Sequence, residues 1–207
     1  QVLYRPFYHQ FSYLDKFWNE YVYKTFILFP NKHSINMLIT VPGTSNALFS
    51  VLMTHEIANR HFNGDTICFP RWLPGEQTEK KDALDFGESD EMPSGFTKEA
   101  LPHFQAAYPG KAMTEDDLFY YIYGILHSED YRTRYANNLM RELPRIPRVA
   151  TYEQFMAFAK AGRKLSDLHV NFENVEPYTG VKIEYTRDGA PSYRVTQMKW
   201  VKIKGKT

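Results

Sequence analysis

Several groups of residues in this chain have side-chain types capable of chemistry, and their spacing decides what they could do. The stretch HEIANRH, residues 55–61, holds the residue types of a zinc-protease helix. That motif needs its two histidines four residues apart, on one helical face. Here His55 and His61 are six apart, which on a helix turns one about 120° from the other's face. They cannot chelate together as that motif requires, and solvated or capping roles suit them better. Asp65 with Glu79, Lys80 and Lys81 offers the acids and lysine of a metal-dependent nuclease. Such a site needs carboxylates fixed by strands, whereas residues 79–81 fall in an acidic, Gly- and Pro-punctuated stretch. His127, Ser128 and Asp130 have the types of a catalytic triad, but they crowd a junction where Ser128 is needed as a helix cap. Cys68 is the only cysteine, so neither an intrachain disulfide nor a thiolate metal cluster can form. No G-x-G-x-x-G, G-x-x-x-x-G-K-[ST] or G-x-S-x-G pattern occurs, so no phosphate cradle or nucleophile elbow is recognised. The residues by themselves do not show an enzyme.

Charge points elsewhere. Twenty-five basic and 24 acidic residues leave a net charge of +1, so the total says nothing about nucleic acid. The distribution says more. Residues 131–148 hold five arginines against one acid, and residues 181–207 hold seven Lys or Arg against two acids. On a helix, Arg134, Asn138 and Arg141 share a face opposite Tyr131, Tyr135 and Leu139. Clusters of this kind can contact phosphates, although a basic helix face is also what a solvated helix shows. The stretch FYYIYGILHSEDYRTRYANNL, residues 119–139, carries five tyrosines. Base stacking needs exposed rings, and these recur where a helix buries its face. They read as the packing of two successive helices, with Gly124 allowing close approach.

The elements that must position these residues fall into an α+β pattern. The 207 residues are 43% hydrophobic, enough for one large domain or two small ones. Residues 1–73 are β-rich. INMLITVP (35–42) and ALFSVLMT (47–54) are strand-length apolar runs around a hairpin loop at 43–46. TICFPRW (66–72) is a third strand, stopped by Pro70, and NEYVYKTFILF (19–29) is a helix or a strand. Residues 74–96 hold seven acids and four Gly or Pro residues before Gly95, the composition of an exposed loop or linker. Residues 97–176 are helical. Thr114 starts a first helix with three acids in its first turn, and Leu118, Tyr121, Ile122 and Ile125 mark its buried face. Ser128 starts a second, which Pro144 and Pro147 end. Thr151 and Gln154 form a capping box for a third, with Phe155, Phe158, Ala159, Gly162 and Leu165 as its apolar stripe. Residues 177–207 are expected to be a C-terminal β-hairpin turning at Asp188-Gly189. A chain opening on Gln1, with no signal peptide and no apolar run near the ~18 residues of a membrane helix, reads as a cytoplasmic piece of a longer polypeptide with no membrane partner.

Several blocks in order resemble one family. YRPF (4–7), NEYVYKTFILFPN (19–31), FNGDTICFPRW (62–72), TEDDLFYYIYGILHSEDYRTRYANNLMRELPRIP (114–147), FAKAGRKLSDLHVNFE (158–173) and YRVTQMKW (193–200) are similar, colinearly over residues 4–204, to the C-terminal specificity domain of type ISP single-chain restriction–modification enzymes, often catalogued as helicases. The resemblance implies a parent chain with a nuclease, an ATP-driven translocase and an N6-adenine methyltransferase, using ATP, Mg²⁺ and S-adenosylmethionine. None of their motifs is in this segment, for which no cofactor is expected. The family continues past the basic strand, so the hairpin is expected to be truncated.

On that resemblance the chain is a non-catalytic duplex-DNA reader, partnered by the methyltransferase and translocase domains of its own polypeptide. Reading bases takes donors and acceptors aimed at base edges, and phosphate contacts hold the register. The candidates for base contact are Lys32, His33, Thr44, Ser45, Asn46 and Arg71. Those for phosphate contact are Arg134, Arg141, Arg145, Arg148 and Lys164. Tyr4, Arg5 and Phe7 read as structural. The rival readings are a metal-dependent nuclease and a docking module that barely touches DNA.

Overall fold

Residues 38–41, Leu-Ile-Thr-Val, carry no charge to expose on either face, and they form the middle of a sheet. A computed structural model of the chain describes residues 2–13, 15, 17–19, 37–42, 49–62, 65–73, 93–176 and 178–180. Its strands are β1 (Val2–Arg5), β2 (Tyr8–Gln10), β3 (Leu38–Pro42), β4 (Leu52–Thr54), β5 (Ile57–Ala58) and β6 (Thr66–Pro70). One sheet has the order β4-β3-β6, antiparallel throughout, with every residue of β3 buried. The hydroxyl of Thr40, buried in that strand, donates to the Leu52 carbonyl at 3.0 Å, which satisfies the one polar side chain there. The other sheet has the order β2-β1-β5, with β1 parallel to β5 and antiparallel to β2. The tight β1–β2 connection puts Phe7 at φ 58°, a left-handed conformation uncommon for a bulky residue. The Phe7 ring meets Phe172 and His169 edge-on, with centroids 5.4 and 5.3 Å away.

Among the described residues the helices are α1 (Ala100–Gln105), α2 (Glu115–His127), α3 (Glu129–Arg134), α4 (Ala136–Leu139) and α5 (Tyr152–Val170), followed by a 3-10 turn at Phe172–Asn174. Capping fixes the starts the sequence indicated. Thr114 and Asp117 close a capping box on α2, and Thr151 and Gln154 close one on α5. Ser128 accepts from the Tyr131 N–H at the start of α3. Helix α2 is buried nearly all round, on Leu118, Phe119, Tyr121, Tyr123, Ile125 and Leu126. Its residues share one core with Ile39, Val41, Val51 and Met53 of the sheet region and Phe155 and Ala159 of α5.

Gly124 and Gly162 set the closeness of that packing. A methyl group on Gly162 would collide with the Tyr120 carbonyl and lie 2.8 Å from the Gly124 nitrogen. One on Gly124 would collide with the Phe158 carbonyl. The close approach expected of Gly124 therefore occurs, but against the third helix of the sequence reading, α5, rather than the second.

Other expectations change as well. The second helix does not run unbroken to Pro144. It breaks at Tyr135 (φ −108°, ψ 18°) and α4 ends at Leu139, over an Asn137-Asn138 pair of weak helix formers. Arg134, Asn138 and Arg141 therefore do not share one helix face. Tyr131 and Leu139 are buried, but Tyr135 is 36% exposed. Of the described residues of ALFSVLMT, 49–54, Leu52–Thr54 are strand. The HEIANRH segment contributes β5 and forms no helix. The chain divides into two units, Gln1–Val175 and Glu176–Thr207, and both sheets and all five helices belong to the first. The strands expected from residue 181 onward, residues 20–29 and the loop at 43–46 lie outside the described residues. None of the described helices is long and apolar enough to cross a membrane.

Candidate nucleic-acid interface

Residues 143–149, LPRIPRV, leave the helices because Pro144 and Pro147 cannot continue one. Their carbonyls still need donors, and three tyrosines supply them. The Tyr131 hydroxyl donates to the Arg145 carbonyl at 2.9 Å, Tyr121 to Pro147 at 2.6 Å, and Tyr108 to Val149 at 2.8 Å. Carbonyls two residues apart facing one side are the habit of an extended chain. Burial pushes all three phenols above their ordinary range, so each keeps its proton to donate. Tyr108 follows α1, Tyr121 lies in α2 and Tyr131 in α3, so three elements hold one strap.

The strap turns Ile146 and Val149 inward and its arginines outward, while Leu143 at its start is exposed. Ile146 and Val149 pack against the core. The Arg145 side chain is 86% exposed and pairs with Glu142 at 2.9 Å. Arg148 is exposed, with one guanidinium nitrogen 3.2 Å from the His103 carbonyl. Arg141 is exposed in the turn before the strap. Asn138 donates to Glu142 at 3.0 Å. That amide, with the Arg145 guanidinium, holds the Glu142 carboxyl below the usual carboxylate range. A depression of about 330 Å³ runs beside the strap, lined by Tyr131, Tyr135, Asn138, Glu142, Arg145 and Ile146 among others. The Arg134 guanidinium sits 5.8 Å from the centre of the Tyr135 ring. Of the five phosphate candidates, Arg145 and Arg148 stand on the strap and Arg141 in the turn before it, with Arg134 beside Tyr135 of the depression. Lys164 faces solvent on α5.

Arg71 is placed otherwise than expected. Its side chain is 7% exposed, with Nε 2.7 Å from Asp116 and a terminal nitrogen 3.2 Å from Glu115. The guanidinium also lies 3.9 Å from the centre of the Trp72 ring and reaches the Ser94 hydroxyl at 3.3 Å. Three acids at the start of α2 create a demand for a cation, and Arg71 meets it from the end of β6. So engaged, Arg71 does not present its donors to a base edge. The other base-contact candidates, Lys32, His33, Thr44, Ser45 and Asn46, lie outside the described residues.

The triad residue types do other work. His127 Nδ1 is 2.9 Å from the Tyr123 carbonyl, and Ser128 caps α3. His127 and His169 have ring centroids 5.7 Å apart, and the Tyr123 hydroxyl meets His169 Nδ1. Burial, with His127 close by, takes His169 down to about 4, and burial lowers His127 too. Asp65 lies 3.5 Å from His61 and 3.8 Å from Arg60, while Glu79, Lys80 and Lys81 lie outside the described residues. Burial pushes the Cys68 thiol up to about 11. Among the described residues no three His, Cys, Asp or Glu side chains gather as metal ligands would.

Sequence reasoning missed the tyrosine hydroxyls as the strap's anchors. A signal for them existed: tyrosine rather than phenylalanine at buried helical positions, followed by a proline-punctuated arginine segment whose carbonyls lack partners.

Residues 1–207 match the family described as "Type ISP C-terminal specificity domain". No curated protein matches the chain. Solved structures do. A cryoEM structure of a DrdV–DNA complex is 33% identical over 86% of this chain, with a TM-score of 0.72. A nuclease-deletion mutant of the type ISP restriction–modification enzyme LlaGI, in complex with a DNA substrate mimic, is 34% identical over 90%, with a TM-score of 0.66. The ATP-dependent type ISP enzyme LlaBIII, bound to DNA, is 26% identical over 86%, with a TM-score of 0.69. The chain spans 16%, 15% and 11% of those three chains, respectively. It belongs to the type ISP C-terminal specificity domain family.

Proposed function

We propose that this chain reads duplex DNA for a restriction–modification enzyme and catalyses nothing itself. Adenine methylation and ATP-dependent cleavage are then the work of other domains of the parent polypeptide, with S-adenosylmethionine, ATP and Mg²⁺ bound there. Arg141, Arg145 and Arg148 hold phosphates, with Arg134 and Lys164 adding charge. Lys32, His33, Thr44, Ser45 and Asn46 supply donors and acceptors for base edges. The observation that carries this reading is the family match over residues 1–207 to relatives that were solved on DNA or a DNA mimic. The exposed arginine strap gives it a physical means.

Salt titration of binding to a labelled duplex tests it. Three to five phosphate contacts should make log K fall with log salt at a slope of about −3 to −4.5. Affinity indifferent to salt would overturn phosphate contact. Plasmid cutting in Mg²⁺ that is lost on Glu79→Ala would replace the reading with the nuclease.

A second role is favoured by one observation. Phe11, Tyr13, Phe17 and Trp18 are 90, 70, 83 and 72% exposed, and apolar surface gathered in this way marks protein contacts. We read it as a face for another domain of the same polypeptide. Mixing this chain with the separately produced remainder of the enzyme should give a complex that Phe17→Ser/Trp18→Ser weakens; undiminished complex formation would sink the assignment.

A further inference from the structure

The geometry points to Tyr108, Tyr121 and Tyr131 as positioning residues for DNA contact: their hydroxyls hold the 143–149 strap in the form that leaves Arg145 and Arg148 exposed. The inference rests on the reading of that strap as a phosphate-binding element, and goes beyond it by naming what makes the strap competent.

The strap has few other means of holding its shape. Pro144 and Pro147 have no N–H, and the segment belongs to no helix or sheet. Its carbonyls at 145, 147 and 149 are each taken by a tyrosine. Those tyrosines are themselves immobile. Tyr121 is fully buried and stacked on Phe155 at 4.5 Å, and Tyr108 packs on the same ring at 5.7 Å. Tyr131 is 7% exposed and lies against Tyr135 at 5.0 Å. The hydroxyl row therefore fixes to the helical core the backbone of a segment otherwise held by the packing of Ile146 and Val149. Arg145 and Arg148 are three residues apart, at most ~10 Å along an extended chain. Both can then meet phosphates of one strand, whose charges recur about every 3.4 Å along the duplex axis. Without the hydroxyls the arginines remain, but only the fraction of molecules with the strap in place binds, and apparent affinity falls by that fraction.

The test compares four forms of the full chain: the wild type, Arg145→Ala/Arg148→Ala, Tyr121→Phe/Tyr131→Phe, and Tyr152→Phe. The last removes a hydroxyl that donates to the Ala112 carbonyl at 2.6 Å and not to the strap. Polarisation of a labelled random-sequence duplex is followed from about 50 to 200 mM salt, below the thermal midpoint of every form. The arginine pair should lower the salt slope by about two. The tyrosine pair should lose about tenfold in affinity with the slope unchanged, as if a tenth of the molecules were competent. Tyr152→Phe should change neither, although its loss of stability is of the same kind. An arginine pair that behaves as wild type would overturn the phosphate reading itself. An arginine pair that weakens binding beside a tyrosine pair matching Tyr152→Phe would leave that reading standing and overturn the positioning role. Should the double tyrosine variant unfold, Tyr131→Phe alone carries the comparison, with a loss of about threefold expected and wild-type affinity counting against the inference.

Discussion

Replacing Gly162 by alanine sets two physical effects against each other, and the structure says which wins. Helix propensity favours the change by ~1 kcal/mol, because Gly162 lies inside α5. Packing opposes it. The new methyl group would meet the Tyr120 carbonyl and the Gly124 nitrogen, 2.8 Å away, both backbone atoms of α2. Neither is the free end of a side chain that can swing aside, so the helices must move apart. Overpacking of a well-filled core costs ~1–3 kcal/mol, and backbone on both sides puts this site at the upper end. The net expectation is a loss of ~2 kcal/mol. For a domain of this size that lowers the melting midpoint by about 4–8 °C. Thermal and urea unfolding followed by circular dichroism give the number. Ala161→Gly is the control, because Ala161 is exposed on the same helix and should lose only the ~1 kcal/mol of propensity. Gly124→Ala/Gly162→Ala should lose less than the sum of its parts, since the two sites press on one gap. A Gly162→Ala protein with a midpoint equal to or above wild type would refute the close approach and leave propensity as the only effect.

Three further outcomes follow from the local environments. His169 is held from 6.5 down to about 4, so below pH 6.5 the unfolded chain takes up a proton that the folded one refuses; stability is whole above pH 6.5 and declines as the pH falls toward 4. Solvent at the half-buried ring limits that loss to ~1–2 kcal/mol, and urea unfolding across this range should show a slope that His169→Gln flattens. Arg71→Met leaves Glu115 and Asp116 without their cation and should cost ~2–3 kcal/mol, while duplex affinity of the folded variant, measured by polarisation, stays at wild type because Arg71 faces inward. Cys68, with its thiol pushed up to about 11, should react with iodoacetamide at pH 8 roughly 100-fold more slowly than free cysteine, and at the ordinary rate in denaturant.

Helix starts were legible in the sequence because capping is local chemistry. Thr114, Ser128 and Thr151 each accept from a backbone N–H two or three residues into their helix, and that geometry depends on nothing distant. Strand β6 was legible for a similar reason, since Pro70 ends the run of Thr66–Pro70. What failed was long-range. Gly124 announces a close approach but not the helix it approaches. Arg71, just after a strand, reads from the sequence as a base-contact candidate. Its partners lie 44 and 45 residues further on, in α2, and no period or spacing brings them together. The break at Tyr135 was hidden because four-residue repeats continue straight through it.

The tyrosines show the same division between local and distant causes. The apolar periodicity of α2 explains why residues 118, 121 and 125 are large and buried, but it does not distinguish tyrosine from phenylalanine. The distinction comes from what each ring reaches. Phenylalanine at 121 would fill the same space against Phe155 and leave the Pro147 carbonyl without a donor, a loss of ~1–3 kcal/mol for a buried acceptor. The same reasoning applies to Tyr131 and Arg145, and to Tyr108 and Val149. A segment made unable to form a helix by two prolines can be fixed only by groups outside itself, and phenol hydroxyls at the ends of buried rings suit the task, being rigid, apolar along their length and polar at the tip. Aromatic abundance in this chain is therefore not evidence for a stacking surface. For these three residues it is the means by which a helical core holds an arginine-bearing strap at its surface.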